Sequence, residues 1–111
     1  MYTTIARYLK NNNISVENTV FDASDITNED KYLKAVFINN NTNNQAKISC
    51  YIKTNNNMDY YMFPRNLIVE PGDSVSAIQK VLPLNNGDSV IFVSNVIGLE
   101  CSLIIDYDKN S

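Results

Sequence analysis

The chain has 111 residues, 44% of them hydrophobic, with 12 acidic and 9 basic side chains, a net charge of -3 and no histidine. That length suits one domain able to bury roughly 65% of its unfolded surface. The scattered cations lack the basic stripe of a duplex-binding surface, the missing histidine excludes Ser-His and Cys-His nucleophile pairs, and no apolar run nears the ~20 residues that span a membrane, so nucleic acid and membrane are not expected partners.

Met1 to Lys10 is too interrupted by Arg7 and Lys10 for a signal peptide, so the expectation is a soluble protein made in the cytoplasm of its producing cell. Thr3 to Leu9 fits either two helical turns, with Ile5, Tyr8 and Leu9 on one side and a threonine cap, or an extended arm or first strand; Asn11 to Asn13 would stop a helix. Residues 1–18 are therefore set apart as an arm or short helix, and residues 19–111 as the main domain.

Thr19 to Asp22 reads as a short strand and Asp25 to Asp30 as a polar loop. Lys31 to Asn39 is apolar on both faces over Val36, Phe37 and Ile38, as is Val90 to Val93, which suits strands covered on both sides or facing a partner. Ala46 to Lys53 alternates, with Ala46, Ile48, Cys50 and Ile52 on one face. Met58 to Phe63 is a Tyr-rich strand ended by Pro64. Leu67 to Val69 runs into Glu70-Pro71-Gly72-Asp73, whose Pro and Gly suit the middle of a type II turn. Val75 to Leu82 is a weaker strand, interrupted at Ala77-Ile78-Gln79, and Asn86-Gly87 gives a hairpin cue before Val90. Leu99 to Tyr107 alternates most cleanly, with Leu99, Cys101, Leu103, Ile105 and Tyr107 on the face that should line the same core as Ala46 to Lys53. Seven or eight strands at this spacing predict an all-β antiparallel sandwich.

Eighteen asparagines, many in runs, read as tolerant loops enriched by an AT-rich genome, with sugar binding as the functional alternative. Cys50 and Cys101, each among apolar residues at strand spacing, read as buried free thiols, with an inter-sheet disulfide as the alternative. Asp106 and Asp108 share a face and could pair in a glycosidase, but at the solvated end of the last strand they read as a charged strand end, and Asp73 and Asp88 read as turn residues. No spacing of ligands calls for a metal or a cofactor. Tyr51, Tyr60, Tyr61 and Phe63, with Arg65 beside them, suit a contact surface for protein or sugar, although alternate members could fill the core.

The order of these motifs resembles a family of small virion proteins of tailed bacteriophages: Thr19-Val20-Phe21-Asp22-Ala23, then Ala35 to Asn40, the alternating Ile48 to Lys53, Tyr60-Tyr61-Met62 through Glu70-Pro71-Gly72, the step from Leu84 through Gly87-Asp88 to Val90, and a last hydrophobic strand. The resemblance spans roughly residues 19 to 107. It implies an Ig-like β-sandwich in the virion, as a capsid auxiliary or decoration protein, a head-fibre piece or a tail component, bound in many copies to other virion proteins or to itself. Residues 1–18 would be an arm that orders on its neighbour, with Tyr2, Ile5, Tyr8 and Leu9 as contacts; deleting it should leave the sandwich folded and weaken incorporation. A module binding host glycans is the alternative from another class.

Overall fold

The computed structural model describes residues 2–26, 30–56 and 58–108; the side chains of Tyr2 and of residues 78–81 lie outside the described set. The strands are β1 (Tyr2–Lys10), β2 (Asn18–Asp22), β3 (Lys31–Asn39), β4 (Ala46–Lys53), β5 (Asp59–Tyr61), β6 (Leu67–Val69), β7 (Ser74–Leu84), β8 (Ser89–Ser94) and β9 (Glu100–Asp108). A 3-10 turn, Ala23–Asp25, follows β2, with Asp22 Oδ1 accepting from Ser24 N at 3.0 Å. Residues 27–29 of the expected loop at Asp25 to Asp30 lie outside the described residues, as does Asn57.

The strand pairing is nested. β1 pairs with β9, β2 with β8, β3 with β7, and β4 with β5 and β6, all antiparallel. The chain is thus a long antiparallel ribbon, doubled back after β4 and rolled up. Two more ladders, β3 with β9 and β4 with β8, close the roll into a 4-stranded sheet β1-β9-β3-β7 and a 5-stranded sheet β2-β8-β4-β5, with β6 also on β4. This nesting is the jelly-roll arrangement of a β-sandwich. It corrects the immunoglobulin order: there the first two strands share a sheet, whereas β1 and β2 lie in opposite sheets here.

The N-terminal segment is a strand, neither a helix nor a detached arm. β1 pairs with β9 at nine successive positions, from Tyr2 opposite Asp108 to Lys10 opposite Glu100. Thr3, Thr4 and Ile5 are β-branched and favour extended backbone. Ile5 and Leu9 pack half-buried against the core. Between them Arg7 interrupts the apolar alternation; its guanidinium lies 5.9 Å from the Phe21 ring centroid and donates to Ala6 O at 3.0 Å. A cation on the inward face hid the strand pattern in the sequence.

Inner faces of the two sheets make one core. Leu33, Val36 and Ile38 of β3 and Cys101, Leu103 and Ile105 of β9 share it with Ile48, Cys50 and Ile52 of β4 and Val90 and Phe92 of β8, all buried. Burying a side chain of such size stabilises by about 1.5–3 kcal/mol. β4 and β9 line the same core, as their alternation predicts. Both cysteines are buried with free thiols, and a hydrogen bond with Cys50, then burial, drive the Cys101 thiol pKa upward, keeping it neutral.

Irregularities in the sequence pattern mark bulges and corners. Between Leu33 and Ala35 the register of β3 slips against both neighbours; β7 spends the four steps from Ile78 to Leu82 against two on β3, where its pattern was interrupted. Glu70 to Asp73 is closed by Asp73 N donating to Glu70 O at 3.0 Å, with Gly72 at φ +83°, as a type II turn requires. The Asn86-Gly87 turn closes similarly, Asp88 N to Asn85 O at 3.0 Å, with Gly87 at φ +93°. It is not a hairpin, because β7 and β8 belong to different sheets. Asn86 does not adopt the positive φ that a type I′ hairpin turn demands, so the turn is a corner of the sandwich.

Candidate functional site

The expected aromatic surface is divided among three environments. Tyr51 and Tyr61 are opposite each other on the outer face of the 5-stranded sheet, ring centroids 4.9 Å apart, with the Arg65 guanidinium 4.4 Å from the Tyr61 centroid. Tyr51 is only 6% exposed, so it is the floor of this cluster rather than its contact surface. Tyr60 projects on the other side of β5 and, because β5 is a sheet edge, remains 51% exposed. Phe63 turns inward with Met62 and is buried in the core, which removes it from any surface.

A carboxylate anchors the first cluster. The Tyr51 hydroxyl donates to Glu17, and Lys53 Nζ reaches the same carboxylate at 3.1 Å, tying the β1–β2 connection across β4. The Tyr51 hydrogen bond and then Lys53 hold the Glu17 carboxyl below its usual range, while burial and then Glu17 push the Tyr51 hydroxyl well above its own. A depressed folded-state pKa contributes stability that is present above the unfolded value of 4.5 and lost as pH falls through the folded value. Glu17→Gln should therefore lower the thermal midpoint modestly at pH 7, and the gap from wild type should close in melts at progressively lower pH. A gap that stays constant down to pH ~3 would show that the Glu17 charge contributes nothing.

The second environment lies on the outer face of the 4-stranded sheet. Register places Tyr8, Ser102, Phe37 and Ser76 in one row across β1, β9, β3 and β7, and Ala6, Ile104 and Ala35 in the next. Tyr8 is 76% exposed and Phe37 37%, on either side of the small Ser102. Ionic groups bound this apolar centre. At one end Asp106 accepts from Thr4 Oγ1 at 2.6 Å and lies 3.8 Å from Lys34 Nζ; at the other, Lys10 is opposite Glu100, whose Oε1 takes Asn41 Nδ2 at 3.1 Å. Of the N-terminal contact candidates with described side chains, Tyr8 joins this face while Ile5 and Leu9 face the core; the Tyr2 side chain is outside the described set. Asp106 therefore stands in a surface ion-pair network on an open sheet.

The third environment is a cleft of about 450 Å³ at the end of the sandwich, between the β4–β5 and β7–β8 turns, with Tyr60 and Met58 on its wall. Among the described residues no group of three or more Cys, Asp or Glu is placed to hold a metal ion. No protein-family model matches the chain, and no curated protein is significantly similar to it.

In the sequence Tyr8 reads as a contact and the Val36-Phe37-Ile38 run as covered on both sides or facing a partner, but nothing there joins the two or adds Ile104 to them. The residues lie on three strands far apart in sequence, and only the β1-β9-β3 register joins them. The apolar run Val36-Phe37-Ile38 was the available signal.

Proposed function

We propose that this chain is a non-enzymatic structural protein of a phage particle, a capsid auxiliary or decoration protein that binds neighbouring virion proteins in many copies. The resemblance of its motif order to tailed-phage virion proteins supplies the setting, and a tail or head-fibre position is the variant of the same reading. Jelly rolls serve in viral capsid domains, which is a fold-level analogy in its favour.

The observation that carries the proposal is the outer face of the 4-stranded sheet. An apolar centre built from Tyr8, Phe37, Ile104 and Ala6, bounded at both ends by ionic groups, has the anatomy of a protein-binding patch. Aromatic side chains of this kind are the usual anchors of such patches. Mass spectrometry of purified particles is the test: the chain should be present at a copy number comparable with coat or tail subunits, and particles without it would overturn the reading.

A further inference from the structure

We propose that the cleft between the β4–β5 and β7–β8 turns is a binding site for neutral or N-acetylated pyranose sugars, with Tyr60 as the stacking platform. The proposal stands on a different surface from the apolar sheet face and does not depend on what that face binds.

At the end of the sandwich holding the β1–β2, β3–β4 and β8–β9 connections, Asn11 and Asn40 serve the fold, while the side-chain amides of Asn43 and Asn44 there have no hydrogen-bond partner among the described residues. Asn11 Nδ2 donates to Val96 O at 2.9 Å while its Oδ1 accepts from Leu99 N at 2.8 Å, and Asn40 Nδ2 donates to Val69 O at 2.9 Å. At the cleft end, the side-chain amides of Asn55, Asn56 and Asn85 have no hydrogen-bond partner among the described residues. Asn86 uses its Oδ1 to accept from Lys31 Nζ at 3.1 Å, which orients the amide and leaves its NH₂ hydrogens uncommitted among the described residues. Amides with both donor and acceptor free are what sugar hydroxyls pair with.

The cleft also has an apolar component of matching kind. Tyr60 is 51% exposed and Met58 69%, adjacent on the same wall. A tyrosine ring offers a flat apolar face with little conformational entropy to lose, suited to the C–H face of a pyranose. The volume of about 450 Å³ falls within the usual range of small-ligand sites.

Hydrogen bonds brace the described residues of both turns. Thr54 N and Oγ1 each donate to Met58 O at 2.9 Å, and Met58 N returns a bond to Thr54 Oγ1 at 3.2 Å. Asp88 Oδ2 accepts from Asn85 N at 2.9 Å, closing the other turn. The turns also fit against each other: a Cβ on Gly87 would stand 2.9 Å from the Asn55 side chain. Such preorganisation spares the ordering cost of binding.

Charge selects among sugars. The cleft lining includes the acidic Asp59 and the largely buried Asp88 but neither Lys nor Arg among the described residues, the Lys31 ammonium lying outside it, bonded to Ile26 O at 2.6 Å and to Asn86. Sialylated and sulfated glycans would be repelled, so the site favours uncharged pyranosides.

The test is a glycan array probed with the full chain, followed by saturation-transfer NMR with the best neutral glycan on it. Binding should be confined to neutral or N-acetylated sugars; Tyr60→Ala and Asn85→Ala should each weaken it about tenfold, and Tyr60→Phe should retain it. Tyr60 is half exposed and Asn85 projects from a turn, so both variants should keep the wild-type melting curve. No neutral glycan binding at millimolar concentration, preference for acidic glycans, or binding indifferent to Tyr60→Ala would each overturn the site.

Discussion

Deletion of residues 1–18 is expected to unfold the domain or drive it into aggregates, not to leave a folded sandwich lacking an arm. β1 contributes nine residue pairs to β9, and its loss would expose the backbone of a central strand along its length. It would also strip Ile5 and Leu9 from the core and remove Asn11, which is 1% exposed and bonded to Val96, Gly98 and Leu99. Two apolar side chains at about 1.5 kcal/mol each, with the buried groups orphaned by losing Asn11 at about 1–3 kcal/mol each, approach the 5–15 kcal/mol that a domain possesses. Circular dichroism and size-exclusion chromatography of the truncated chain decide the matter. A monodisperse β-rich product with a cooperative melt would show that β1 is dispensable.

Asn40→Ala should cost about 3 kcal/mol, while Asn41→Ala one residue on should change stability by less than about 0.5 kcal/mol. Asn40 is fully buried, donates through Nδ2 to Asn44 O at 2.8 Å and Val69 O at 2.9 Å, and accepts through Oδ1 from Thr42 N at 3.1 Å and Thr42 Oγ1 at 2.6 Å. Alanine would strand these groups where water reaches them poorly, and an unmade buried bond is costlier than a made one is favourable. Asn41 has an exposed bond to Glu100 that water can replace. Chemical denaturation of the two variants should show the difference, and equal midpoints would refute the assigned role.

The same pair marks the limit of what the sequence discloses. In the run Asn39-Asn40-Asn41 three identical residues have different roles, one at a strand end, one buried, one on the surface, and nothing in the run distinguishes them. Tolerant polar loops account for Asn41 and not for Asn40 or Asn11. The alternation of β4 and β9 was legible because each strand has one wet face, and the Pro71-Gly72 turn because its φ requirement is local. β1 was ambiguous because Arg7 occupies an inward position, and the Asn86-Gly87 corner imitated a hairpin because local turn chemistry does not say which sheet the next strand joins. The jelly-roll order depends on pairings as distant as Tyr2 with Asp108, beyond the reach of any local pattern.

Both candidate surfaces follow from that order. Only the β1-β9-β3 register brings Tyr8 and Phe37 to either side of Ser102, and only the meeting of the β4–β5 and β7–β8 turns places Tyr60 beside Asn85 and Asn86. Tyr60 and Tyr61, adjacent in sequence, consequently face different partners: Tyr61 is a neighbour of Tyr51 and Arg65, Tyr60 of the cleft.

The most direct measurement of the central claim is co-sedimentation of the purified chain with particles assembled without it, comparing wild type with Tyr8→Asp/Phe37→Asp. Both substitutions lie on an exposed face, so the variant should keep the wild-type fold by circular dichroism. Saturable wild-type binding at many copies per particle and loss of binding in the variant are expected. Equal binding by the folded variant, or no binding by wild type, would contradict that claim.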